Sequence, residues 1–429
     1  MKVGFITLGC KVNIYESNAL KNELEQRGFT VGEATSDDDV FIINTCSVTN
    51  MADAKSRKMI HKCIKMNPNA IICAIGCYVQ TNDEAREIEG VDILVGNGNK
   101  KEIVDKIVEA LKAPKKEKFV NILDILEFNE YENLDVTTYD HTRAFVKIED
   151  GCNNFCTYCI IPYARGPVRC KKAIDVIKEL KNITDNGYKE VVLAGIHTGR
   201  YNDNGTNLSS LVKMILKEVP KLERLRLSSI EINEVDDEFI ELMKENKILA
   251  DHLHLPLQSG SDTILKLMNR RYDKAYFLSR INKIREARPN ISITTDVIVG
   301  FPYETDELYL ESKEFIKECN MSKIHVFPYS RRKNTPAAAM PQVNDTVKKN
   351  RALDLIKFSN ELEETYAKKF INEKLDIIIE QKYNDEYMIG HTSNFLQVLL
   401  PLDLKLIGSH IDIIIDKVID NKVYGRIDK

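Results

Sequence analysis

The sequence predicts an α/β protein in three parts: an N-terminal doubly wound parallel sheet, a central open (β/α)6 barrel and a small C-terminal antiparallel β-barrel. Three observations predict it. Residues 1 to about 112 alternate short apolar runs with helical stretches. From about residue 141 the same alternation resumes, and from about Lys374 it gives way to short strands interrupted by Gly390, Gly408 and Gly425. Strands separated by helices of this length build parallel sheets, whereas closely spaced short strands build small antiparallel barrels. The expected boundaries are 1–112, a linker at 113–140, 141–367 and 368–429.

The bulk numbers fit such a chain. At 429 residues it can bury several cores, and 43% hydrophobic with 29% charged residues is ordinary for soluble domains. With 61 basic against 65 acidic residues there is no global pull toward nucleic acid. No apolar run approaches the ~20 residues of a membrane span. The N-terminus runs straight into a strand pattern without a signal peptide, so a cytoplasmic location is expected. In that compartment the ten cysteines read as metal ligands or catalysts rather than disulfides.

In the first part, strands are predicted at Val3–Leu8, Val40–Asn44, Ala70–Ile75 and Val91–Val95. Helices are predicted at Tyr15–Arg27, Met51–Met66 and Lys100–Lys112. Cys10, Cys46 and Cys77 each follow a different one of these strands. The carboxyl ends of parallel strands share one edge, where ligands bind, so three distant thiols converge. The plainer alternative is that they are small core residues. Cys63, Cys73, Cys170 and Cys319 have no comparable placement. Lys55, Lys58, Lys62 and Lys65 share one helix face, which suits solvent or an RNA backbone.

In the second part, strands are predicted at Ala144–Glu149, Glu190–Ala194, Leu222–Ser228, His252–Leu257, Ser292–Val299 and Lys323–Phe327. After the first comes Cys152-Asn-Asn-Phe-Cys156-Thr-Tyr-Cys159. Three cysteines at this spacing cannot close a four-ligand zinc site alone. They can hold three irons of a [4Fe-4S] cube and leave the fourth open. Later strands end in Gly195-Ile-His197, Ser228-Ser-Ile-Glu231, Gln258-Ser-Gly260 and Gly300-Phe-Pro-Tyr-Glu304. Each is weak alone, but together at one barrel face they suggest a cofactor site. His252 and His254 are expected to be structural and inward-facing. The basic clusters Asn269–Tyr272 and Ser330–Asn334 suit phosphate contacts or ordinary surface.

A long helix is predicted from Val343 to about Phe370, followed by five short strands between Leu375 and Ile427. From Lys368 onward nine basic residues face ten acidic ones, so RNA binding there rests on shape alone.

Thr7-Leu-Gly-Cys10-Lys-Val-Asn13, Asn44-Thr-Cys46-Ser-Val-Thr49, Ala54-Lys-Ser-Arg57, Gly76-Cys77-Tyr-Val-Gln80 and the Cys152 loop together resemble the radical S-adenosylmethionine (SAM) methylthiotransferases. The resemblance spans the chain, ending in a TRAM-like Gly390-His-Thr-Ser-Asn-Phe-Leu-Gln-Val. It implies that Cys152, Cys156 and Cys159 hold the [4Fe-4S] cluster that cleaves SAM, with Tyr158 beside the adenine. Gly195, Ser228, Glu231, Gln258 and Gly300 are then the expected SAM contacts. Cys10, Cys46 and Cys77 are implied to hold a second [4Fe-4S] cluster that carries the transferred sulfur.

The Gly9-Cys10-Lys11-Val12-Asn13 form is similar to the group acting on threonylcarbamoyladenosine at tRNA position 37; Ile14, where glutamine is common, is a small departure. Isopentenyladenosine and a ribosomal-protein aspartate are the alternatives within the family. A non-catalytic iron–sulfur RNA-binding protein is the alternative outside it. The resemblance further implies a tRNA anticodon loop as partner, an electron donor such as flavodoxin or ferredoxin, and a sulfur source.

Overall fold

A computed structural model describes residues 1–112, 118–139 and 142–428. The expected boundaries at 113, 140, 141 and 429 lie outside the described residues. The N-terminal sheet has six strands: β1 (Lys2–Thr7), β2 (Thr30–Glu33), β3 (Val40–Thr45), β4 (Ile71–Gly76), β5 (Ile93–Val95) and β6 (Phe119–Asn121). Their order is β2-β1-β3-β4-β5-β6, and every pair is parallel. All residues of β3 and β4 are buried, which explains their unbroken apolar sequence. Separate apolar clusters cover the two faces, as double winding requires. The edge strands β2 and β6 are less legible: β2 is short and polar, and β6 falls within the expected linker.

Helix α1 (Lys11–Gln26) starts four residues before its predicted position, with Cys10 as its extended N-cap. Helix α2 (Asn50–Met66) matches its prediction within a residue and is capped by Thr49, whose side chain accepts from the Ala52 amide. Lys55, Lys58, Lys62 and Lys65 are all exposed on it, as both a solvated face and an RNA contact require.

The six barrel strands lie within a few residues of their predicted positions. One parallel trio runs Arg224–Leu227, Glu190–Ala194, Arg143–Lys147, and the other His252–His254, Ser292–Val299, Lys323–Pro328. A bridge between Leu225 and Leu249 joins them. The two outer strands are covered by helices, α1 against Arg143–Lys147 and Asp345–Lys368 against Lys323–Pro328. Residues Tyr15 and Ala19 of α1, together with Leu134, Val136 and Tyr139 of the predicted linker, are buried in the barrel's own core. The Tyr15 hydroxyl also donates to the Leu134 carbonyl (2.7 Å). The stretch 118–139 is therefore a strap packed across both α/β parts.

The C-terminal strands close into a barrel in the order Lys374–Lys382, Tyr387–Thr392, Gln397–Pro401, Lys422–Ile427, His410–Ile419. All neighbours are antiparallel except Gln397–Pro401 with Lys422–Ile427, which run parallel and close the ring. This barrel is clamped to the central one. Arg226 donates to the Thr392 and Ser393 carbonyls (2.6 and 2.9 Å), and Phe395 stacks on His252 with ring centres 4.4 Å apart. Glu190 orients Arg226 and Arg224 (2.8 and 3.0 Å); burial alone would raise its carboxyl, but Arg226, Arg143 and Arg224 bring it down to about 2.

His410 sits in the same interface, between Asp376 (2.9 Å) and Glu223 (2.6 Å). The hydrogen bond to Asp376 raises its pKa, with Glu223 adding to it against partial burial. A raised histidine stabilises fully below its ordinary value of 6.5, and that contribution is lost as pH rises through the higher folded value. Thermal midpoints should therefore fall as pH rises above 6.5, and His410→Gln should flatten that slope. An unchanged slope in the variant would remove His410 as the cause.

Candidate active site

Cys10, Cys46 and Cys77 stand at the carboxyl ends of neighbouring strands, where the N-terminal strand order reverses, between β1 and β3. Cys10 follows β1, Cys46 follows β3, and Cys77 opens the short helix Cys77–Thr81 directly after β4. Each of the three interacts electrostatically with the others. The turn at Gly9 has φ +100°, and a Cβ there would stand 3.0 Å from both Cβ and Sγ of Cys46. Asn13 pins this turn, donating to the carbonyls of Leu8 (2.7 Å) and Thr45 (3.0 Å). Ser56 holds Cys46 from both sides, accepting from its amide (3.2 Å) and donating to its carbonyl (2.9 Å). Asn97 donates to the Cys77 sulfur (3.3 Å).

Because only glycine adopts that turn without strain, Gly9→Ala should cost about 1–3 kcal/mol and displace Cys46. Denaturant unfolding would measure the first effect and the alkylation rate of Cys46 the second. A variant that matches wild type in both would show that the turn yields freely.

The second trio lies on the loop after the first barrel strand. Cys156 is buried, and Cys152 and Cys159 are partly so. The Cys152 sulfur is 3.6 Å from Nδ1 of His197, and Arg270 donates to the Cys156 sulfur (3.4 Å). Burial, reinforced by the neighbouring thiols, pushes Cys152 and Cys159 up to about 12 and Cys46 up to about 11. Neutral thiols are thus favoured until a cation arrives, as expected of sulfurs that deprotonate on metal binding. Among the described residues no three His, Cys, Asp or Glu side chains converge on a point as the ligands of one ion do. A cube takes one thiolate per iron, so three thiols around a shared space suit it.

A buried charge network joins the two trios. Arg165, from the short helix Ile161–Arg165 that ends the Cys152 loop, is fully buried. It pairs with Glu16 of α1 (2.6 Å) and Asp150 (3.3 Å), and it donates to the Asn13 side-chain oxygen beside Cys10. Lys100 and Lys147 complete the group on Glu16 (2.6 and 3.3 Å). Burial alone would raise the Glu16 carboxyl; Arg165, Lys100 and Lys147 together hold it well below the usual range. Asn97 makes a second crossing, donating to the Ala164 carbonyl (2.7 Å) as well as to Cys77.

Of the expected SAM contacts, Tyr158 and Gln258 line one cavity of about 210 Å³ with Cys159, Asp296 and Phe327, walled on the other side by Val48 and Thr49. Glu231 reaches the second trio indirectly, pairing with Arg270. The others have partners within the chain. A Cβ on Gly195 would stand 2.7 Å from the Glu149 carboxylate, the Ser228 hydroxyl meets that of Thr198 (2.7 Å), and Gly300 donates its amide to Glu304 (2.6 Å). His252 and His254 face inward as expected and share Thr294 (3.0 and 2.9 Å).

The two basic clusters are corrected in part. Arg270 is held by Glu231, and Arg332 is buried against Asp53 (2.8 Å), Asn50 and Ser47 of the N-terminal part, so neither is free for phosphate. Arg165, Asn97 and Lys100 escaped the sequence reading as site residues, and Arg270 entered it only as part of a basic cluster. The one available signal was a run of charge, Lys147-Ile-Glu149-Asp150, ending an apolar strand.

The comparisons agree with this architecture. Residues 146–316 match the Radical SAM superfamily, and residues 2–96 match a family described as Uncharacterized protein family UPF0004. The chain is 42% identical over 415 residues, 95% of its length and 92% of the other, to Threonylcarbamoyladenosine tRNA methylthiotransferase MtaB of Bacillus subtilis (strain 168). It is 35% identical over 87% of its length, and 81% of the other, to tRNA-2-methylthio-N(6)-dimethylallyladenosine synthase of Thermoanaerobacter sp. (strain X514).

Among solved structures, the radical S-adenosylmethionine methyltransferase TsrM of Kitasatospora setae, with cobalamin and a [4Fe-4S] cluster bound, shares the fold. Its TM-score is 0.57 at 14% identity, over 78% of this chain and 76% of that one. The fold and the match over residues 146–316 define a radical SAM protein. Within that class the chain belongs to the tRNA methylthiotransferase family.

Proposed function

We propose that this protein adds a methylthio group to carbon 2 of N6-threonylcarbamoyladenosine at tRNA position 37, in the cytoplasm. The observation that carries it is the pairing of two three-cysteine sites, one on each α/β part, joined by Arg165 and Asn97. In this reading Cys152, Cys156 and Cys159 would hold a [4Fe-4S] cluster that supplies the electron for SAM cleavage, and Cys10, Cys46 and Cys77 a second one for sulfur delivery.

The remaining chemistry belongs to the chain. Tyr158 and Gln258 would receive SAM in the cavity beside Cys159, closed by Val48 and Thr49. Arg270 places positive charge at Cys156 and is itself held by Glu231. Reaching carbon 2 requires the adenine to leave its stack in the anticodon loop. A reduced flavodoxin or ferredoxin would provide electrons, and a separate sulfur source would replenish the transferred atom.

Mass spectrometry of tRNA nucleosides from cells with and without the gene tests the reading. Loss of the methylthio form with accumulation of threonylcarbamoyladenosine is expected. Loss instead of the methylthio form of an isopentenylated adenosine would overturn the substrate assignment and leave the reaction class standing.

A further inference from the structure

Lys11 is the first residue of α1, directly after Cys10, and its side chain lines a cavity of about 470 Å³ between the two barrels. From the central barrel the wall includes His252, His254, Lys323 and His325; from the C-terminal barrel it includes His391 and Lys422. The carboxylate on this wall, Glu363, is already paired with Lys323 (2.8 Å). Asp296, which acts on Lys11 from outside that wall, pairs with His254 (3.2 Å).

The nearby guanidinium groups are likewise engaged, Arg226 by Glu190 and backbone carbonyls and Arg143 by Glu190 and Glu380. The Lys11 ammonium has no hydrogen bond or ion pair among the described residues, although its surroundings carry Arg143 and Arg226. A cavity walled by cations and histidines, with its acids engaged, is suited to an anion.

The chemistry of the substrate says which anion. On adenine, carbon 2 and the N6 substituent flank N1 on the same edge of the ring. A base presenting carbon 2 toward Cys10 must therefore lay its N6 arm against the neighbouring residues. The threonylcarbamoyl arm ends in a carboxylate; an isopentenyl arm carries no charge.

We propose that Lys11 receives the carboxylate of the threonylcarbamoyl arm and is a specificity-determining residue for it. This rests on the substrate proposed above. A charge-assisted hydrogen bond of this kind corresponds to about ten- to hundredfold in affinity.

The test is binding of three anticodon stem-loop RNAs, carrying at position 37 threonylcarbamoyladenosine, its carboxamide analogue or plain adenosine, to wild type, Lys11→Met and Lys11→Arg. Wild type should prefer the carboxylate RNA at least about tenfold over the other two. Lys11→Met should lose that preference while binding plain RNA as wild type does, and Lys11→Arg should keep part of it. Iron content serves as the check that the Cys10 site is intact. A Lys11→Met variant that weakens all three RNAs equally would make Lys11 a phosphate contact, and one that keeps the full preference would place the carboxylate elsewhere; either overturns the proposal. Wild type failing to modify threonylcarbamoyladenosine RNA at all would overturn the substrate reading first.

Discussion

Cys156→Ala should abolish 5′-deoxyadenosine formation and remove about half of the iron per chain after reconstitution, leaving the N-terminal site loaded. Two thiols on a loop of this length leave a cube short of a protein ligand, and no spare cysteine stands on that loop to replace it. The N-terminal trio should be spared because none of its own strands and turns runs through Cys156. The Gly9 turn, the Ser56 clamp on Cys46 and the strand ends β1, β3 and β4 owe nothing to Cys156. The readouts are iron content, the visible absorbance of the reconstituted chain and chromatography of SAM products. SAM cleavage at the wild-type rate in this variant would refute the assignment of the Cys152 loop. Loss of all the iron would instead mean that the two sites load cooperatively.

Arg165→Met should destabilise the unloaded chain by about 3–5 kcal/mol, because it strips a fully buried carboxylate group of one of its two nearest cations. Glu16 keeps Lys100 and Lys147, so the loss is of one partner among three rather than of the whole network. In a Glu16→Gln background the same substitution should cost clearly less, since the charge left behind is gone. Chemical denaturation of the four chains in that double-mutant cycle measures the coupling. Simple additivity would show that Arg165 and Glu16 act separately. The depressed Glu16 carboxyl also contributes stability that is present above the ordinary carboxylate value of 4.5 and lost as pH falls through its lower folded value. Stability should accordingly decline on acidification below 4.5, less so in Glu16→Gln.

Much of this was open to a reader of the sequence. The strands β3 and β4 announce themselves because both their faces are buried, which leaves an uninterrupted apolar run. The Cys152 loop is local, so its spacing is visible without any fold. Even the distant trio of Cys10, Cys46 and Cys77 could be assembled, because parallel topology sends every strand's carboxyl end to one edge. Tyr158 and Gln258 share a cavity, while Ser228 hydrogen-bonds Thr198, Gly300 hydrogen-bonds Glu304 and Gly195 packs closely on Glu149.

What periodicity and motif determine, then, is the order of elements, the three-part architecture and the six thiols placed at strand ends and on one loop. Only the tertiary structure decided how the parts meet. Arg165 and Glu16 lie 149 residues apart, and Arg226 meets Ser393 across 167. No local pattern records such pairs, because a buried charge looks in sequence like any surface charge until its partner is known. The same holds for Lys11: its place beside Cys10 is written in the chain, but the cavity it faces is built by two other barrels that pack around it.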